Sequence, residues 1–124
     1  MGAGSLYVAF RAHDPDTRVI VSAFLERNPE FSSKEQCRDL YWAKLQKSPL
    51  PYSDVTMPAR GLMAIVRGMV AEVQGRSVRW QNVHTHLFRE GVCVEIHLSK
   101  VRYVPDDERL FDAVLRTVRF ADTR

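Results

Sequence analysis

The sequence predicts an α+β fold in which one antiparallel sheet of about six strands carries helices packed on its faces, an α/β/α sandwich. Short apolar segments rich in β-branched residues alternate with turn signals, and two other segments have apolar residues at helical spacing. Each predicted helix has one apolar stripe, and a sheet face is the partner large enough to bury it. The elements follow in the order β-β-α-β-β-β-α-β, and residues 1–124 have the size of a single domain.

Six segments predict strands because they are rich in aliphatic, β-branched or aromatic residues and are bounded by turn residues. The second and third are nearly continuous in apolar character, which is typical of strands buried on both faces and, for the third, of a central strand. Glu90 and Gly91 form a two-residue turn between the fourth and fifth segments, which therefore pair as a hairpin. The predicted strands are residues 6–10, 19–25, 62–73, 78–88, 92–98 and 117–120.

Two helices are predicted from their first residues and from their apolar spacing. Ser32 and Glu35 have the spacing of a capping box, so the first helix begins after Ser32 and reaches about residue 46. A long loop with three prolines follows over residues 48–60. Pro105 and the acidic residues after it begin the second helix. The predicted buried stripes are Cys37, Leu40, Tyr41 and Leu45 in the first helix and Leu110, Phe111, Val114 and Leu115 in the second.

The two-residue turn determines which side chains share a face of the predicted hairpin. It places His84 opposite His97 and His86 opposite Glu95. A slip of one residue would mix polar and apolar side chains on both faces, so burial favours this register. The same face also carries Asn82, Ser99, Phe88 and Cys93, and the opposite face carries Val83, Thr85, Leu87, Val92, Val94, Ile96 and Leu98.

Three imidazoles and one carboxylate on a single face indicate a candidate metal site. Cross-strand neighbours have Cβ atoms about 4.5 to 5.5 Å apart. Imidazole nitrogens bind zinc at about 2.0 to 2.1 Å, which side chains at that spacing can reach. One interpretation is a site for zinc or a similar divalent metal made by His84, His86 and His97, with Glu95 as fourth ligand or base. The other is a polar strip in which each histidine is hydrogen-bonded to a neighbour.

The two cysteines have no CxxC spacing, which excludes a zinc ribbon and a thioredoxin-type site. Cys37 lies on the apolar stripe of the first helix, and Cys93 lies on the histidine-bearing face of its strand. If the helix covers that face, the two side chains meet and can form a disulfide. Otherwise they are two ordinary buried thiols. The sequence leaves both interpretations open.

Composition and motifs favour a non-enzymatic domain that binds a protein partner or a ligand. The net charge is +3, but the arginines are scattered singly, so a nucleic-acid partner is not expected. The chain has no GxSxG nucleophile turn and no glycine-rich phosphate loop, and we expect no catalytic residues and no cofactor. No apolar run is long enough to span a membrane. The alternative is a metal-binding protein or metal-dependent hydrolase that uses the histidines.

The cellular compartment that we expect depends on the origin of the first five residues. Residues 1–5 are a native start, a cloning remnant or a disordered segment, and no signal peptide is visible. We expect a soluble protein, cytoplasmic if Met1 is the native start. It is periplasmic or secreted if a signal has been removed. The sequence does not indicate an oligomeric state.

Three short stretches are similar to uncharacterised bacterial proteins of one fold family. They are residues 48–51 with 54–55, residues 94–100, and residues 106–118. On these stretches and on the order of elements, the chain resembles the PsbP-like α/β/α sandwich over roughly residues 18–120. The extrinsic photosystem II protein and a yeast Ran-binding protein share that fold. The resemblance implies a binding or accessory role, and it carries over no interface residue because no matching motif is present.

Overall fold

The computed structural model describes residues 6–48 and 51–120 and shows one sheet with two helices. No helix in these two ranges is long and apolar enough to cross a membrane. A short 3-10 turn, Pro105–Asp107, leads into the second helix. The strands are β1 (Leu6–His13), β2 (Ile20–Arg27), β3 (Tyr52–Thr56), β4 (Ala59–Arg60), β5 (Met63–Val73), β6 (Arg76–Arg89) and β7 (Val92–Lys100), and the helices are α1 (Lys34–Gln46) and α2 (Glu108–Leu115).

The seven strands form an open sheet whose described pairings are antiparallel. Their spatial order is β1-β2-β7-β6-β5-β3, with β4 pairing with β5 beyond the end of β3. The long β6 and β7 therefore lie in the middle of the sheet. The predicted α+β class with an antiparallel sheet is confirmed.

Several predicted elements are wrong. Residues 118–120 are not a strand, because Val118 and Phe120 pack on the apolar cluster under α2 instead of pairing with the sheet. The predicted loop over residues 48–60 contains β3 and β4. Pro51 and Pro58 lie just outside these strands, where they remove no ladder hydrogen bond. The sheet thus has seven strands rather than six, and the order is β-β-α-β-β-β-β-β-α.

The predicted burial of β2 and the predicted central position of β5 also need correction, whereas the predicted burial of β5 on both faces is confirmed over most of its length. Strand β2 is half-buried along most of its length rather than buried on both faces. It lies one place from the edge of the sheet, where α2 and α1 cover it only in part. Strand β5 is an inner strand but not the central one, since it lies between β6 and the short edge strands β3 and β4.

Helix α1 begins within two residues of Ser33, as its capping pattern predicts, but the capping residue is Ser33 and not Ser32. The Ser33 hydroxyl accepts a hydrogen bond from the backbone N–H of Gln36, and the Gln36 side chain accepts one from the backbone N–H of Ser33. The glutamine three residues after the cap thus takes the place expected for Glu35.

The two helices pack on opposite faces of the sheet. The face under α2 is apolar: Phe111 and Leu115 contact a cluster that includes Val83, Leu87 and Leu98. The other face contacts α1 through Cys37 and Tyr41, which pack with Cys93 and three phenylalanines. We call the second surface the histidine face; it consists of Asn82, His84, His86 and Phe88 of β6 with Cys93, Glu95, His97 and Ser99 of β7.

Candidate functional site on the histidine face

The predicted register of the β6–β7 hairpin is confirmed. His84 pairs with His97, and His86 pairs with Glu95. Glu90 and Gly91 both have positive φ, at 50° and 78°, which is the backbone of the hairpin turn that twists in the same sense as its strands. The polar side chains therefore lie together on one face, as the sequence predicts.

One hydrogen-bond chain crosses this face from β7 to β3. Nδ1 of His84 donates to a carboxylate oxygen of Glu95 at 2.7 Å, and Nε2 lies 3.0 Å from the hydroxyl of Tyr52. The Tyr52 ring reaches over β5 because residue 68 there is glycine. A Cβ at Gly68 would lie 2.7 Å from Cδ2 of Tyr52. Both ring nitrogens of His84 are thus already hydrogen-bonded.

A second hydrogen-bond chain fixes the ring of His97. The side-chain N–H of Asn82 donates to the backbone carbonyl of Trp80 at 3.0 Å, which orients the amide. The amide oxygen therefore faces Nε2 of His97, at 2.8 Å, and accepts a hydrogen bond from the Nε2–H. His97 also stacks on His84 with ring centroids 4.1 Å apart and an angle of 13° between the planes.

His86 is the unusual member of the face. Its side chain has no solvent exposure, and neither ring nitrogen has a hydrogen-bond partner. It stacks instead on the ring of Tyr41 from α1, with centroids 5.5 Å apart. The Tyr41 hydroxyl donates to Glu26. Helix α1 therefore closes this end of the face.

The arrangement brings the four candidate metal ligands onto one face but does not orient them toward one point. The nitrogen lone pairs of an imidazole lie in the ring plane, so the parallel rings of His84 and His97 direct them along parallel planes. His84 is already bonded to Glu95 and Tyr52. Among the described residues, no group of three histidine, cysteine, aspartate or glutamate side chains has the geometry to hold a metal ion. A metal site would need these side chains to rearrange.

Cys37 and Cys93 are brought together where α1 packs on β7. The two sulfur atoms are joined in a disulfide, and both side chains are fully buried. The link crosses from the helix to the histidine face beside Phe88 and Phe24. Of the two interpretations that the sequence leaves open, the structure has the disulfide.

Three ionisable groups of the face, together with Tyr52 beside it, have pKa values displaced away from neutrality. Burial lowers the pKa of His86 to about 4, and burial together with His84 lowers that of His97 to about 3. Burial acts to raise the pKa of Glu95, but the hydrogen bond and charge of His84 outweigh it and hold the pKa below its ordinary value. Burial and Glu95 raise the pKa of Tyr52 to about 12.

Next to the part of the face that α1 covers lies a groove of about 380 Å³, which we call the β2 groove. None of its lining residues comes from α1. Strand β2 pairs with β7, so Ser22 lies opposite His97, and aromatic rings of β2 and β6 form two of the walls. Its lining residues are Ile20, Ser22, Ala23, Phe24, Trp80, His97 and Ser99.

Two parts of this site were not predicted from the sequence. Tyr52 falls in the segment predicted as a loop, and the pattern that could have indicated it is Val55 and Thr56, β-branched residues between two prolines. The β2 side of the groove was missed because β2 and β7 are far apart in sequence. No local signal states that they are neighbours. Ser22 and Phe24 therefore had no visible relation to His97.

Comparisons with known proteins show a likeness of fold. No protein-family model matches the chain, and no curated protein matches it. Among solved structures, a Pseudomonas aeruginosa protein of unknown function, described as a suggested regulator, superposes with a TM-score of 0.52. The two chains are 14% identical, over 99% of this chain and 88% of the other. At that identity the comparison establishes a shared fold and no shared activity.

Proposed function

We propose that this chain is a non-enzymatic binding domain whose ligand occupies the β2 groove. The observation that carries the proposal is the groove itself. Its volume of about 380 Å³ is within the range of small-molecule sites, roughly 300 to 1,000 Å³. It combines aromatic and aliphatic walls with a few polar groups, Ser22, His97 and Ser99, which is the usual composition of such sites.

The chemistry of the histidine face supports binding rather than catalysis. A general acid or base works best when its pKa lies near the operating pH. The pKa values of His86, His97, Glu95 and Tyr52 are all displaced away from neutrality. These groups keep their protonation states near pH 7. A group that keeps its proton state can orient a ligand but is a poor proton carrier.

The PsbP-like assignment remains part of this proposal. A sheet with a helix on each face is the arrangement that the resemblance implies, while the order of elements along the chain differs from the predicted one. Members of that fold family would be expected to bind partners or ligands rather than to catalyse reactions. The Pseudomonas aeruginosa neighbour, as a suggested regulator, is compatible with a binding role.

The test uses benzofuran, an aromatic probe that carries no hydrogen-bond donor. In ¹⁵N-labelled protein, benzofuran should shift the side-chain N–H signal of Trp80 in a saturable way at millimolar concentration or below. Ser22→Phe, which places a ring in the groove, should abolish the shift. Ser77→Phe, on an exposed part of β6 outside this groove, is the matched control and should leave it unchanged. Equal shifts in both variants would contradict the proposal.

A metal-binding protein is the second candidate, because three imidazoles and Glu95 lie on one face. Binding would require His84 to leave Glu95 and Tyr52. Zinc should be titrated into the wild type and into a His84→Ala/His97→Ala variant. Micromolar or tighter binding that the variant loses would favour this candidate. Equal and weak uptake by both proteins would exclude it.

A further inference from the structure

We infer that the β2 groove selects a small aromatic molecule that carries an N–H or O–H hydrogen-bond donor. This inference rests on the proposed binding function and adds the chemical class of the ligand. It depends on the tautomer of His97, on the walls of the groove, and on the size of the groove.

The tautomer of His97 follows from two hydrogen bonds. The backbone carbonyl of Trp80 can only accept a hydrogen bond, so the amide NH₂ group of Asn82, and not its oxygen, must face that carbonyl. The amide oxygen then faces His97, and Nε2 of His97 must carry the ring proton to donate to it. A neutral imidazole has one proton on its nitrogens. Nδ1 of His97 is therefore left as a hydrogen-bond acceptor.

That acceptor has no partner within the part of the chain that the structure describes. His97 makes one hydrogen bond there, through Nε2. Nδ1 of His97 is not one of the fully buried side-chain atoms that lack a partner. Those atoms are Arg67 Nε, Thr85 Oγ1 and the two nitrogens of His86. His97 is partly exposed and lines the groove. A ligand donor is the natural complement of an unpaired acceptor at a partly exposed wall.

The walls define the rest of the ligand. Trp80 and Phe24 line the groove, and Ile20 and Ala23 add aliphatic surface. Aromatic rings pack well against such walls in offset or edge-to-face arrangements. None of the seven lining residues carries a full charge when His97 is neutral. A charged ligand would lose its hydration without gaining a partner, so an uncharged one is favoured.

The size of the groove selects a free small molecule. Its volume suits one bicyclic molecule, whereas a peptide would need an extended surface on both sides of the bound side chain. The test therefore compares indole with benzofuran, which has the same bicyclic shape but an oxygen in place of the N–H. N-acetyltryptophanamide serves as the peptide-like probe.

Indole should bind about five- to tenfold more tightly than benzofuran, the ratio that one neutral hydrogen bond provides. In His97→Phe, which keeps a ring but removes the acceptor, indole should bind only as tightly as benzofuran. Ser77→Phe is the control and should keep the preference for indole. Equal affinities in the wild type would overturn the donor requirement while leaving groove binding intact. Binding of neither probe would overturn the proposed function as well.

A second measurement needs no variant. In the ¹⁵N spectrum of the wild-type imidazoles, His97 should show a protonated Nε2 and an unprotonated Nδ1, and indole should shift the Nδ1 signal. The opposite tautomer would overturn the inference. Tighter binding of N-acetyltryptophanamide than of indole would also overturn it, because a side chain of a protein partner would then be the better occupant.

Discussion

The two faces of the sheet hold their helices by different means. The same two central strands supply both faces, because successive side chains alternate. Val83 and Leu87 of β6 pack in the apolar cluster under α2. His84 and His86 lie between them in the sequence and point to the opposite face, where His86 stacks on Tyr41 of α1. One strand therefore presents a mainly apolar surface on one side and, on the other, a layer of polar groups that are hydrogen-bonded except for His86.

The helices differ accordingly. Helix α2 buries Phe111 and Leu115 in the larger apolar cluster, and its N-cap residue Asp107 makes no side-chain capping hydrogen bond. On its outer side, Glu108 pairs with Arg67 and Asp112 pairs with Arg60. Helix α1 buries only Cys37 and Tyr41. It is held by the disulfide, by the hydrogen bond from Tyr41 to Glu26, and by its capping box. We conclude that α2 is held mainly by buried apolar area with ion pairs at its surface, while α1 buries less and depends more on individual bonds that chemistry can break one at a time.

The largest single-residue effect is expected on the apolar side. Phe111→Ala removes a ring with no solvent exposure and should lower the free energy of unfolding by about 3 to 5 kcal/mol. Phe24→Ala, which removes a half-buried ring that packs beside the histidine face, is the matched control and should cost less than half as much. Urea unfolding of both variants measures this. Equal losses would contradict the contrast between the faces.

Breaking the disulfide should affect the α1 side most. Cys37 and Cys93 are 56 residues apart, and closing a loop of that length stabilises a protein by about 4 kcal/mol in the chain-entropy model. Reduction should therefore lower the unfolding midpoint in urea. It should also increase hydrogen exchange in α1 more than in α2. A Cys37→Ala/Cys93→Ala variant is the control, since reductant should leave it unchanged. Uniform loss of protection in both helices would count against a local role.

Acid should weaken the histidine face selectively. The pKa values of His86 and His97, about 4 and 3, lie below the value of 6.5 expected in the unfolded chain. Below pH 6.5 the unfolded chain thus binds more protons than the folded one. The contribution of the two neutral histidines to the free energy of unfolding is therefore fully present above pH 6.5 and is lost as pH falls. Each histidine contributes a slope of up to about 1.4 kcal/mol per pH unit.

Urea unfolding between pH 7.5 and pH 4.5 measures that slope. His86→Phe removes one of the two histidines with a lowered pKa and should therefore reduce the slope. Because both nitrogens of His86 lack partners, the same change should cost little at pH 7.5. A slope that is unchanged in His86→Phe would show that the acid sensitivity arises elsewhere in the chain.

The sequence predicts those differences between the two faces that follow from local pattern. The Glu90–Gly91 turn and the alternation of β6 and β7 establish the register, and with it the polar and apolar faces. The β2 groove could not be predicted, because it requires that β2 lie beside β7. That pairing joins residues from 65 apart (Arg27 and Val92) to 79 apart (Ile20 and Ser99) and is determined by packing of the whole sheet.

The wrong elements have local causes. Prolines on both sides of β3 conceal a short edge strand, whose pairing with β5 is tertiary. Residues 117–120 have strand composition, but the end of α2 directs Val118 and Phe120 back onto the apolar cluster. At the start of α1, two adjacent serines are each followed three residues later by a side chain able to complete a capping box. Pattern alone does not decide between them.

The smallest effect, at that cap, tests whether α1 depends on individual bonds down to its first turn. Ser33→Ala should lower the free energy of unfolding by about 1 kcal/mol, because the backbone N–H of Gln36 loses its acceptor. Ser32→Ala is a matched control: the backbone N–H of Ser32 still donates to the Gln36 side chain, and only a hydroxyl contact is lost. It should therefore cost less than half as much. A larger loss in Ser32→Ala would move the cap one residue back, to the position that the sequence alone indicates. Equal losses would mean that the two hydroxyls share the cap, and the first turn of α1 would then depend on a small network rather than on one bond.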